Sequence, residues 1–268
     1  SAHLVFIQEI MGVQSSLAFD TLLHIGTLVA IFAYFWNDII HMIKSFVSSL
    51  IDLIKDLISF LKRNPQRQFK KNFQEDQYKK LAWLVIIGTI PAGIVGILFK
   101  SNFESLFSSI LAVGIFLIIT GFLLWGSERV SQRIRPEDRK PLEKLTIKNS
   151  LIVGIAQAFA IAPGISRSGA TISAGLFLGF ERELAARYSF LLSIPAIFGA
   201  ALVQAKDITS LEMSTAALVG GFLAAAITGY LAIKFMLKLI KERSLLIFAY
   251  YCWIVGIIAV ALSLYFHI

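Results

Sequence analysis

The residues best suited to chemistry lie together at Ala162-Pro163-Gly164-Ile165-Ser166-Arg167-Ser168-Gly169-Ala170-Thr171. Pro163 lacks a backbone donor and Gly164 tolerates unusual dihedrals, so the chain should turn there. An apolar run suited to a helix follows over 170–180. The start of such a helix offers free N–H groups and a positive dipole end. Ser166, Ser168 and Thr171 add hydroxyl donors, and Arg167 adds a planar fork that matches phosphate oxygens. Together these make an anion site, and inside a membrane the natural anion is a lipid phosphate. The plainer alternative is a capped helix start with Arg167 snorkelling or salt-bridged; capping, however, needs one serine and no arginine. Gln157, upstream, reads by itself as an interhelical hydrogen bond.

The elements that must hold this stretch are membrane helices. Of the 268 residues 57% are hydrophobic and 16% charged, with a mean hydropathy of +0.75. A soluble domain is nearer 45–50% apolar and about 25% charged. Six apolar segments are long enough to span a bilayer: about 21–36, 81–99, 108–126, 188–204, 213–233 and 244–266. The single cysteine, Cys252, excludes an internal disulfide and dithiol chemistry. The net charge of +8 follows topology: basic-rich connections (37–80, 127–148, 181–187, 234–243) alternate with basic-poor ones (100–107, 205–212). The positive-inside rule puts the former in the cytoplasm, which removes the case for nucleic acid. Of 25 basic residues only Arg167 is left within an apolar stretch, where a charge is costly and marks function by default. The stretch 149–180 must begin and end in the cytoplasm, so it should enter the membrane and turn back. Residues 1–19 read as the returning half of a similar pair opening outside.

A weak internal repeat supports this arrangement. Ser1-Ala2-His3 matches Ser168-Gly169-Ala170, and Gly12 matches Gly179, at an offset of 167; Gly88, Ala92, Ile94 and Gly96 match Gly221, Ala225, Ile227 and Gly229 at an offset of 133. The expected fold is all-α and polytopic. It is an inverted repeat of 1–148 and 149–268, each half a re-entrant helix pair plus three transmembrane helices. Small residues in 88–96 and 220–229 would let helices approach closely. The repeat sets His3 opposite Arg167, where it could act as base or proton shuttle. Glu9, Asp20 and His24 read as structural or hydrated groups. The insertion 37–62 has a helical apolar period, with Lys44, Asp52, Lys55 and Asp56 on the other side. It is an amphipathic helix, either on the cytoplasmic membrane surface or packed on the protein's own core.

The nine residues from Pro163 to Thr171 resemble the PGxSRSxxT signature of the bacterial undecaprenyl-diphosphate phosphatases of the BacA/UppP type. The likeness runs through essentially the whole chain: Ser1-Ala2-His3-Leu4, Pro91-Ala92-Gly93, Thr120-Gly121 and Tyr250-Tyr251-Cys252-Trp253 are also similar. The resemblance implies an enzyme of the bacterial inner membrane. It would convert undecaprenyl diphosphate to undecaprenyl phosphate for cell-wall synthesis, with a divalent cation (Mg or Ca) and a link to bacitracin resistance. Carried over by position, His3 and Arg167 would be catalytic, and Gly164, Ser166, Arg167, Ser168, Gly169 and Thr171, with Gln157 and Ser1, would surround the diphosphate. The family's acidic metal-binding motif would precede Ser1, so no metal ligand is named. The expected partners are a polyprenyl diphosphate lipid and the membrane, with room for a homodimer. A transporter or flippase of a phosphorylated polyprenyl lipid is the alternative function.

Overall fold

A computed structural model describes residues 6–7, 17–61, 68–99, 106, 109–203, 214–242 and 244–266. The described residues hold ten α-helices: α1 (Leu17–Tyr34), α2 (Trp36–Leu61), α3 (Gln68–Glu75), α4 (Gln77–Leu98), α5 (Ile110–Arg133), α6 (Ile147–Phe159), α7 (Arg167–Phe177), α8 (Arg182–Val203), α9 (Thr215–Glu242) and α10 (Leu246–Phe266). Two short 3-10 turns, Pro136–Asp138 and Leu142–Lys144, lie between α5 and α6. Helices α4, α5, α8, α9 and α10 are each long and apolar enough to cross a membrane, and α1 joins α2 in a pair bent by 87° that passes the same test together. The chain is a multi-pass membrane protein. Several helices run beyond the apolar segments that mark them. Helix α5 continues to Arg133 and α9 to Glu242, because arginine, lysine and glutamate are good helix formers and a charged end leaves the membrane without ending the helix.

All four basic-rich segments meet at one end of the molecule. Lys80 donates to the Glu143 carbonyl. Arg187 grips Asp38 through two hydrogen bonds of 2.6 and 2.8 Å. Arg182 Nη1 lies 2.9 Å from both oxygens of the buried Glu128, and its Nε donates to Ile240 O. The Leu245 N–H completes that cluster at 3.2 Å from Glu128 Oε2. The charges that alternate along the chain are thus joined in space.

Stretch 149–180 folds back as expected. Helices α6 and α7 are too short to cross a bilayer and pack side by side across the turn at 160–165. Their outer ends are tied together: Lys140 N–H donates to Gly179 O (2.9 Å), and Glu181 N–H to Lys140 O (3.2 Å). Gly164 sits at φ +99° and Gly179 at φ +82°, conformations that favour glycine at either end of α7. Beneath the pair, a Cβ on Gly154 would fall 2.1 Å from Gly88 O, so α6 rests directly on the backbone of α4. Tyr188 Oη then ties α8 to the same place, donating to Leu84 O at 2.8 Å and meeting Ser150 Oγ at 2.6 Å.

Helix α2 answers the question left open for the insertion. Its polar side, not its apolar side, meets the protein. Asp52 lies 2.6 Å from Lys79 Nζ and accepts from Asn72 at 2.8 Å. Ser49 accepts from Trp83 Nε1 at 2.9 Å, and Ser45 donates to Asp76 at 3.0 Å. The apolar stripe faces outward, with Ile54 57%, Leu57 60% and Leu61 72% exposed. Ile39, at the start of the stripe, belongs to the protein's core, but from Ile43 onward the stripe does not pack on that core among the described residues.

Candidate functional site

The turn and the first residues of α7 form the site. Ser166 is the N-cap: its Oγ accepts from Gly169 N–H at 3.1 Å, the usual way to satisfy a first-turn donor. The backbone N–H groups of Arg167 and Ser168 come next and have no acceptor among the described residues. Ser168 Oγ is held only loosely, 3.5 Å from Ser166 Oγ.

Arg167 is half-buried. Among the described residues its side chain makes one hydrogen bond, Nη1 donating to Ser189 O at 3.4 Å, and no carboxylate pairs with it. The salt-bridged reading of Arg167 is therefore not realised there. A guanidinium kept in place by a backbone carbonyl, beside two free N–H donors at a helix N-terminus, is arranged for an anion.

Three other expected donors are otherwise engaged. Thr171 is 1% exposed, and its hydroxyl is taken up by Arg167 O (2.8 Å) and Ser189 Oγ (2.6 Å). That is a correction to its place among diphosphate donors: a threonine inside a helix reaches back to the preceding turn. Gly164 is pressed onto α5, where a Cβ would fall 2.3 Å from Val113 O, so its part is to make the turn. Gly169 gives its N–H to the cap. Gln157 is 3% exposed and, contrary to the interhelical reading, neither its Oε1 nor its Nε2 has a partner among the described residues. A buried amide left unbonded on both sides is costly and suits a group that finds its partner in a bound ligand. His3 and Ser1 lie outside the described residues.

Residues 1–258 match the family model described as bacitracin resistance protein BacA. The chain belongs to the BacA family. It is 52% identical over 264 residues to a protein of Methanosphaera stadtmanae named undecaprenyl-diphosphatase, covering 98% of this chain and 90% of that one. A protein of the same name from Methanothermobacter thermautotrophicus is 69% identical over 182 residues, 68% of this chain and 99% of its own. Another, from Methanobrevibacter smithii, is 52% identical over 260 residues, 96% and 88% of the two chains.

In this BacA chain His24 on α1 is exposed and lies within electrostatic reach of Arg167. Sequence reasoning left it aside because one histidine in an apolar helix has no periodic signature. Ser189, which holds the loop, was equally silent, and Thr120, which holds it from the other side, entered only through the family resemblance of Thr120-Gly121, with no role attached. The divalent cation finds no home in what is described: among the described residues no three His, Cys, Asp or Glu gather to hold an ion.

Proposed function

We infer that this chain is an integral membrane phosphatase that hydrolyses undecaprenyl diphosphate to undecaprenyl phosphate and phosphate. Full-length similarity to proteins named undecaprenyl-diphosphatase supports the substrate. The observation that carries the chemistry is Arg167 at the N-terminus of α7, unpaired with any carboxylate among the described residues, with the N–H groups of Arg167 and Ser168 free of acceptors among them. A diphosphate brings the negative charge that the described part of this site lacks. As the anhydride P–O bond breaks and water's oxygen joins the terminal phosphorus, charge shifts onto the leaving undecaprenyl phosphate and the departing phosphoryl oxygens. Fixed donors aimed at those oxygens lower the barrier. Ser168 Oγ and the Gln157 amide complete the binding set, and His3 is assigned the proton transfer on the family resemblance. We place the protein in the plasma membrane, with the four basic segments in the cytoplasm.

The same reading includes the inverted repeat of 1–148 and 149–268. It is supported where α5 crosses α10: a Cβ on Gly114 would fall 3.1 Å from Gly256 O and one on Gly256 2.9 Å from Gly114 O. Gly114 also meets Val260, and Gly256 meets Ile118. Gly114 with Gly256, and Ile118 with Val260, are each 142 residues apart, as a local two-fold requires.

The test is phosphate release from undecaprenyl diphosphate by pure protein in detergent, where no second compartment exists for transport. Release that disappears in Arg167→Ala is expected. A folded wild-type protein that releases none overturns the reading.

A further inference from the structure

Between α5 and α7 there are two hydrogen-bonded rungs. At the first, Thr120 Oγ1 accepts from Ser166 N–H at 3.1 Å, and its hydroxyl is shared between Gly164 O (3.2 Å) and Phe116 O (3.1 Å). At the second, Ser127 Oγ bonds Ser173 Oγ at 3.0 Å. Thr120 and Ser127 are seven residues apart, as are Ser166 and Ser173. Two parallel helices are therefore locked in register over two turns, about 10 Å at 1.5 Å rise per residue.

The three side chains that make these rungs lie in the interior. Thr120 and Ser127 are fully buried, and Ser173 is 1% exposed. The first rung differs from the second in what it holds. It fixes the backbone on both sides of Ile165, and Ser166 is the cap from which Arg167 and Ser168 project. The methyl of Thr120 also abuts Gly169, 3.4 Å from where a Cβ would stand. From the opposite side Ser189 holds Thr171 Oγ1 and Arg167 Nη1.

We propose that Thr120 is a positioning residue for the diphosphate site: through the Gly164 carbonyl and the Ser166 N–H it sets where the Arg167 and Ser168 donors point. It touches no substrate, and acts through the turn. A donor array works only if held near its productive geometry, and a displacement of about 1 Å can cost about 10²-fold. The proposal rests on the phosphatase reading above.

The test compares Thr120→Val, Thr120→Ser and Ser127→Ala with wild type. It measures phosphate release and inhibition by methylenediphosphonate, a diphosphate that cannot be hydrolysed. Valine keeps the shape and removes all three hydrogen bonds; serine keeps the hydroxyl. Thr120→Val should weaken methylenediphosphonate at least tenfold and lower kcat/KM by as much or more. Thr120→Ser should stay within threefold of wild type. Ser127→Ala breaks the remote rung, and should lower thermal stability more than it lowers inhibitor affinity. A Thr120→Val protein inhibited as tightly as wild type overturns the proposal. So does a Thr120→Val protein whose losses in affinity and stability match those of Ser127→Ala, since a purely structural rung predicts that. Where Thr120→Val fails to fold, serine decides: a folded Thr120→Ser protein that has lost tenfold in affinity overturns it. A wild-type protein that releases no phosphate fails the phosphatase reading instead, a separate outcome.

Discussion

Among the described residues Arg167 is a cation without an anion, and the consequences are testable at that one residue. Arg167→Lys keeps the charge and loses the planar fork, so it should fall about 10²-fold in kcat/KM, close to Arg167→Ala, as loss of a fixed transition-state donor does elsewhere. Steady-state phosphate release measures both. Gly164 carries a different expectation. Its φ of +99° and the Val113 carbonyl 2.3 Å from a would-be Cβ leave no room for alanine. Gly164→Ala should cost about 3 kcal/mol or more, visible as a lowered unfolding midpoint together with lost turnover. Arg167 was legible in the sequence because every other basic residue fell in a connection between apolar segments. The roles of Thr120 and Ser189 were not, because a hydroxyl in an apolar helix carries no period, and their partners stand 46 and 18 residues away. Only packing brings those together.

The elements show where a pattern stops informing. The apolar stripe of α2 was plain in the sequence, and so was its helix, Trp36–Leu61. Which medium the stripe would face was not, since amphipathicity defines two faces and leaves open which neighbours meet them. The answer lies in Asp52, Asn72, Lys79 and Trp83, which hold the polar face. The hydrogen bond from Asn72, then the one from Lys79, holds the Asp52 carboxyl below its ordinary range. A carboxyl lowered on folding stabilises fully above its unfolded pKa of about 3.9 and loses that contribution as pH falls through the lower, folded value. Protection of α2 in hydrogen exchange should therefore be constant from pH 7 to pH 5 and weaken below about pH 4. Lys79→Met should destabilise by about 3 kcal/mol, because it strands a buried carboxylate; Asp52→Asn with Lys79→Met should recover part of it.

At the scale of the whole molecule, the stitched basic end sets the topology. Single cysteines at Glu137 and at Ser214, both exposed, should react with a membrane-impermeant reagent from opposite sides, while the buried Cys252 stays silent. Equal reaction from one side overturns the cytoplasmic assignment of 127–148. The same stitching also has a history in time. Glu128 is made and buried early in the chain, but Arg182 follows 54 residues later and the Leu245 N–H 117 residues later. At about 5–20 residues per second, the carboxylate waits on the order of ten seconds for its last partner. A ribosome that stalls before α8 leaves a bare acid on α5 where the finished protein has none, and the cell's membrane proteases and insertion factors meet a chain that declares itself unfinished.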